Sequence, residues 1–281
     1  MSVTVRRISL LLLLLSLTAC QSVAAITASI PTAAPPTADP AARPTLPAPA
    51  PAFPFADGWT AAETGIELRR LAGPPDGSPV GVLAVRVDPT AVSFRMVYDQ
   101  QRPRAISAWA ADYGAAIAVN AGYFDDVGRP VALLVSDGVA VGDTYLDQGG
   151  MFAVTADGRL LLTALSDEPY NGEPLQQALQ GWPLLVRAPG VAAYAVEDGR
   201  RSRRTAVGLD QAGRVILLVS PAADFSLAEW SQYLAAADLQ LVRAVNLDGG
   251  SSTGIALRNA NAATAVEAFA ALPFALLITP R

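Results

Sequence analysis

The sequence carries three short segments in which residue type and spacing can do chemistry. The first is Asn246-Leu247-Asp248-Gly249-Gly250-Ser251-Ser252, in which an apolar strand delivers a carboxylate into a turn without side chains, followed by two hydroxyls. Successive glycine N–H groups can converge on one point as an anion nest, because no Cβ blocks close approach. Asp248 beside them can act as base, nucleophile or ligand; the competing reading is a plain Asp-Gly-Gly turn. The second segment is Asn120-Ala121-Gly122-Tyr123-Phe124-Asp125-Asp126, again on the exit of a buried strand. Gly122 permits a sharp turn, Asn120 offers donor and acceptor together, and Tyr123 and Phe124 can lie against a ring. Read blandly, it is a loop with two solvated aspartates and a core Phe. The third is Arg201-Ser202-Arg203-Arg204-Thr205. A charge run is usually a solvated face, but Arg204 stands where an apolar strand begins and its guanidinium fork suits phosphate or carboxylate.

Composition narrows the chemistry. The chain has no His, and all 20 of its basic residues are Arg. Ser-His-Asp and Cys-His catalysis, Schiff-base lysines and His-ligated zinc are therefore excluded. Acid–base work falls to Asp, Glu, Tyr or water, and any metal would need oxygen ligands. A net charge of -5 gives no basic field for nucleic acid.

The N-terminus reads as an address. Arg6 and Arg7, the apolar run Leu10 to Leu15 with Leu17, and the small segment to Ala19 follow the order of an export signal. The apolar run is short for a membrane span. Leu17-Thr18-Ala19-Cys20 resembles the lipobox of bacterial lipoproteins, which implies lipidation at Cys20; the alternative is an ordinary secretory signal cut near Ala19. Cys20 is the only cysteine, so no intramolecular disulfide can form. The expected organisation is a signal peptide over 1–19, a Cys-anchored, Ala/Pro-rich disordered linker over 20–56 and a folded domain over 57–281. The linker lacks the apolar surface to offset the entropy of ordering it. In polyproline II at about 3.1 Å per residue it would reach on the order of 100 Å. The chain is thus expected to be exported and held on a bacterial membrane.

The elements that must position the three segments are mostly strands. Val80 to Val85, Val92 to Val97, Ala116 to Val119, Val131 to Val135, Met151 to Val154, Arg159 to Leu162, Leu184 to Val186, Thr205 to Leu209, Val215 to Val219, Leu241 to Leu247 and Phe274 to Ile278 carry strand patterns. Ile106, Trp109, Ala110 and Tyr113 have helical spacing, and Ser226-Leu227-Ala228-Glu229 is a capping box opening a helix to Ala237. About ten strands with two or three helices predict an α+β domain on a large mixed, mainly antiparallel sheet.

Taken in order, these segments resemble the phosphodiester glycosidase family. Asn120 to Phe124 is similar to its Asn-Ala/Gly-Gly-Phe-Phe element and Ser136-Asp137-Gly138 to the turn after it. Phe152, Asp157-Gly158 and Leu160 follow its next hairpin, and Gly181 to Val186 its Gly-x-x-x-Leu-Ile strand. Arg204-Thr205-Ala206-Val207-Gly208 matches Arg-Thr-Ala-Ile-Gly, and Leu227 and Trp230 through Asp248-Gly249-Gly250 match the helix, strand and Asn-Leu-Asp-Gly-Gly-Gly-Ser ending. The resemblance covers roughly 112–257. It departs at Ala132 and Ser251, where the family often has Gly or a similar small residue, and at Leu209, where a lysosomal member has His.

The resemblance implies hydrolysis of the glycosidic bond of a sugar-1-phosphodiester by a hydrolase that needs no cofactor. A departing phosphate monoester has a second pKa near 6, so stabilising its charge matters more than a strong general acid. Arg204 with the Gly249 and Gly250 amides is expected to take that charge. Asp248 is expected to activate water or stabilise the oxocarbenium-like carbon. Asn120 is expected to hold a sugar hydroxyl or the phosphate, with Tyr123 or Phe124 against the ring and Gly122, Thr205, Ser251 and Ser252 lining the site. The glycan substrate, on this reading, belongs to the cell envelope or extracellular material. One alternative is a non-catalytic surface lipoprotein that binds phosphorylated glycans or wall polymer. A third reading, a divalent cation on Asp248, Asp125 or Asp126, matches no EF-hand spacing.

Overall fold

A computed structural model describes residues 55–259 and 262–281. The export signal, Cys20 and the Ala/Pro-rich stretch to residue 54 lie outside the described residues. Strands β1 (Thr60–Glu63), β2 (Ile66–Leu71), β3 (Val82–Val87) and β4 (Val92–Tyr98) lead to helix α1 (Ile106–Asp112). Then come β5 (Ile117–Asn120), β6 (Leu134–Ser136), β7 (Val139–Val141), β8 (Gly150–Thr155), β9 (Leu160–Ala164) and β10 (Leu175–Gly181). β11 (Leu184–Ala188), β12 (Val191–Ala192), β13 (Ser202–Asp210) and β14 (Val215–Phe225) precede helix α2 (Leu227–Ala236). β15 (Leu241–Asn246), a 3-10 turn (Gly250–Ser252), β16 (Ile255–Arg258), β17 (Ala263–Val266) and β18 (Phe274–Pro280) complete the chain.

The α+β class stands, with two helices among the described residues, but the expected single sheet is three. Their strand orders are β1-β2-β3-β14-β13-β15-β11-β12, β7-β6-β10-β8-β9 and β17-β16-β5-β18-β4. The ladders within them are antiparallel. Twisted sheets beyond ~10 strands tend to curl or split. Here the split lets all three turn apolar faces onto one core: Val85, Val207 and Val245 from the first, Leu134, Phe152 and Leu179 from the second, Met96, Val119 and Leu276 from the third. β4 shows the alternation this requires, with Val92, Phe94 and Met96 buried and Ser93 and Arg95 exposed.

β13 lies inside the eight-stranded sheet and is covered on both faces. Val207 enters the central core, while Ala206 packs with Trp230 and Leu234 of α2. Double coverage explains why the strand is buried over nearly its whole length. Helix α2 starts on a complete capping box, with Glu229 N donating to Ser226 Oγ (3.2 Å) and Ser226 N to Glu229 Oε2 (2.8 Å). Helix α1 closes the third sheet's outer face through Ile106 and Trp109, which pack on Ala118, Ala256 and Leu277. No helix among the described residues is long and apolar enough to cross a membrane.

Candidate active site

The three chemistry-bearing segments meet at one end of β13 and β15. Ala206 pairs with Asn246 in the β13–β15 ladder. Since strand side chains alternate, Arg204 and Asn246 fall on the face that α2 covers, and Thr205 and Leu247 on the core face. One residue past Leu247 the chain turns, bringing the Asp248 carboxylate out beside this pair.

Asp248 is held within its own turn. Its Oδ1 accepts the Gly249 amide at 2.8 Å. Burial pushes its pKa up, opposed by hydrogen bonds from the Ser252 hydroxyl and the Gly249 amide. The expected nest is therefore partly turned inward, with the Gly249 N–H serving the carboxylate. The 3-10 ladder runs from Ser252 N to Gly249 O and Thr253 N to Gly250 O, which leaves the Gly250 and Ser251 amides outside it. Gly250 adopts φ +60°, a conformation glycine supplies without strain. A Cβ on Gly249 would stand 2.9 Å from the Arg203 carbonyl.

Arg204 is buried, and two backbone carbonyls fix its guanidinium. Nε donates to Phe225 O (3.0 Å) and Nη2 to Arg200 O (2.9 Å). No salt bridge to Arg204 occurs among the described residues, whereas its neighbour Arg201 pairs with both Asp76 and Glu229. Burial pushes the Arg204 pKa down while Tyr123 and nearby acids oppose the shift; an arginine remains charged regardless. Its Nη1 lies 3.9 Å from where a Gly249 Cβ would stand. The result is a desolvated cation, already oriented, beside the Asp248 turn.

Tyr123 joins this group. Its hydroxyl donates to the Trp182 carbonyl (2.6 Å) and accepts from Asn246 Nδ2 (2.7 Å). Burial first, then the charge of Asp248, push the phenol above its ordinary range, so it stays protonated at neutral pH. The Trp182 ring meets Tyr194 edge to face, with centroids 5.4 Å apart, and both side chains are part-exposed. Neither was expected in the site. A Trp-Pro pair following the Gly181 strand end was the available signal.

Asn120 needs correcting. It was expected to touch substrate, but it is buried, and its donor and acceptor are both engaged. Nδ2 donates to the Asp248 main-chain carbonyl (2.7 Å), while Oδ1 accepts from Thr205 Oγ1 (2.7 Å) and Gly254 N (3.0 Å). Thr205, fully buried, belongs to the same clamp behind the strand rather than to the lining. Phe124 packs edge-on against Phe274, centroids 5.9 Å apart, and serves the core. Gly122 is required for close packing: a Cβ there would lie 2.7 Å from Gln180 O. Ser252 is buried beside Asp248, and Ser251 is exposed on the turn. Asp125 is taken up by the amides of Val127 and Arg129 and by the Arg129 guanidinium. Among the described residues no three acidic or Cys side chains converge as a metal centre.

Comparison with known proteins shows a family and a shared fold. The family model described as phosphodiester glycosidase matches residues 113–279. The catalytic domain of zebrafish N-acetylglucosamine-1-phosphodiester alpha-N-acetylglucosaminidase, solved in a form auto-inhibited by its pro-peptide, is similar in fold. It has a TM-score of 0.55 and 21% identity, over 77% of this chain and 89% of that one. A hypothetical protein from Synechocystis gives a TM-score of 0.54 and 18% identity, over 78% of this chain and 62% of that one. No curated protein sequence matches. The family match runs through more than half of the chain and takes in all three segments built above, from Asn120 through Arg204 to Asp248: the chain belongs to the phosphodiester glycosidase family.

Proposed function

We propose that the chain hydrolyses the glycosidic bond of a sugar-1-phosphodiester, releasing the free sugar and a phosphate monoester. The observation that carries this reading is a buried guanidinium, Arg204, with no salt bridge among the described residues, and a half-buried carboxylate, Asp248, placed about one glycine turn. The departing phosphate monoester develops negative charge that needs a fixed cation more than a proton. Arg204 supplies it without reorganising, because two carbonyls already hold the fork. Burial makes Asp248 a stronger base than an exposed carboxylate. Ionised, it faces the anomeric carbon, where it stabilises the oxocarbenium-like centre or activates water. Tyr123 and the part-exposed Trp182 and Tyr194 offer surface for the sugar ring.

The sequence supports a location as well. The export signal and the lipobox at Cys20 would anchor the domain outside the cytoplasm on a spacer, which suits a surface-bound glycan rather than a soluble metabolite. The test is a screen of the purified protein against sugar-1-phosphodiesters and plain glycosides, measuring released sugar and phosphate monoester together. Equimolar release from the phosphodiesters alone is expected. Tight binding of phosphorylated glycans with no product over hours would replace the hydrolase with a surface receptor.

A further inference from the structure

Arg203 is the side chain that the site so far leaves without a purpose. It is 8% exposed, yet only its Nη2 has a partner, the Glu267 carbonyl at 2.9 Å. Nε and Nη1 are buried without one. Buried donors left unmade are costly, and more so on a charged group, so a guanidinium in this state calls for an acceptor that arrives with a ligand. One hydroxyl at the exit of the adjoining turn, Thr253 Oγ1, is also buried and unpartnered.

The cover over Arg203 is slight. The Phe269 ring lies over the guanidinium at 4.2 Å, and that side chain is 82% exposed. Its turn is docked through the amides of Phe269 and Ala270, which both donate to Ser251 O (2.7 and 3.0 Å). Rotation of the ring about its own side-chain bonds can uncover the cation while those backbone bonds remain. Below the ring, Arg203 and Arg204 leave β13 on opposite sides, and the Arg203 main chain and the Arg204 guanidinium both approach Gly249: a Cβ there would stand 2.9 Å from Arg203 O and 3.9 Å from Arg204 Nη1.

We propose that Arg203, roofed by Phe269, is a second anion-binding residue that takes a phosphate or phosphodiester oxygen on the far side of the Gly249–Ser252 turn from Arg204. The inference rests on the proposed function for the identity of the anion. Two fixed cations either side of one turn suit a ligand with more than one phosphate charge, such as neighbouring units of a phosphodiester-linked polymer, better than a neutral glycoside.

The test is inorganic phosphate binding to the full-length chain, by calorimetry, in wild type, Phe269→Ala, Arg203→Gln and the double variant. Phe269→Ala, at an exposed position, is expected to keep the fold and bind phosphate about tenfold more tightly than wild type. The double variant should lose that gain, and equal affinity in Phe269→Ala with and without Arg203→Gln overturns the proposal. A second measurement does not depend on Arg203 variants folding. Phenylglyoxal should modify Arg203 in Phe269→Ala, and phosphate should protect it; modification unaffected by phosphate again overturns the proposal. Neither assay reads turnover. Phosphate binding through Arg203 in a chain that hydrolyses no phosphodiester would keep this inference and remove the proposed function, and hydrolysis without Arg203-dependent binding would do the reverse.

Discussion

Asn120 holds Asp248 by its backbone, donating from Nδ2 to the Asp248 carbonyl at 2.7 Å. The same side chain accepts from Thr205 and from the Gly254 amide. One amide thus ties β5, β13 and the chain on both sides of the 3-10 turn together. The Asp248 turn owes its position to a side chain buried behind it.

Asn120→Ala should therefore act through structure. It strips partners from Thr205 Oγ1, Gly254 N and Asp248 O, at about 1–3 kcal/mol for each buried group left unpaired. A clear fall in urea midpoint together with reduced kcat is expected. Unchanged stability with lost substrate binding would instead make Asn120 a ligand contact.

Asp248→Asn should separate activity from stability. Turnover should fall by about 10³-fold or more if the carboxylate acts on the reacting carbon. The raised pKa gives a sign for stability. A folded-state pKa above the unfolded one means the fold binds the proton more tightly. That contribution is complete below the ordinary Asp range and is lost as pH rises through the folded pKa. Melting temperature against pH should show this loss in wild type and not in Asp248→Asn. Identical profiles would mean the carboxylate is not desolvated.

Arg204→Lys keeps the charge and loses the fork. A lysine cannot donate to both Phe225 O and Arg200 O while presenting another N–H toward Gly249. A loss of about 10²–10³ in kcat on a phosphodiester is expected, the scale of removing one charge-stabilising donor. Retained kcat in Arg204→Lys would show that a diffuse positive charge suffices.

Gly122→Ala should destabilise without altering chemistry directly. The added Cβ would meet Gln180 O at 2.7 Å, and a backbone carbonyl cannot swing aside as a side chain can. A cost of about 1–3 kcal/mol is expected for such overpacking. A melting temperature equal to wild type would show that β10 yields freely there.

Cys20→Ala should move the protein from the membrane fraction to the medium or the periplasm while small-substrate turnover stays the same. Fractionation with an activity assay on each pool reads both. Loss of turnover in the released protein would give the stretch after Cys20 a part in catalysis.

What could be read from the sequence follows from how each strand is covered. β4 alternates, and β15 is mostly apolar, with Leu241, Val242, Ala244 and Val245 leading to Asn246 and on to Asp248, so both were plain. β10 was missed because Gln176, Gln177 and Gln180 make it read as polar. Gln177 and Gln180 are in fact buried, their amides answered by Met96 N, Asp137, Tyr145 N and Thr144. Such pairing is set by partners far along the chain, which a local pattern does not contain. The division into three sheets was hidden for the same reason. In the site, Asp248 and Arg204 were visible as residue types at strand ends. The part played by Asn120 was not, since an amide looks the same in sequence whether it meets a ligand or a backbone.

The wide spacing of the residues in the clamp has a kinetic consequence. Asn120 reaches 85 positions along the chain to Thr205 and 128 to Asp248, and Asn246 meets Tyr123 across 123. Contacts of such range form late, because the loops they close must be ordered first. A nascent or partly folded chain therefore has strands and hairpins but no centre. The residues of the candidate site come together last, once the whole domain has closed.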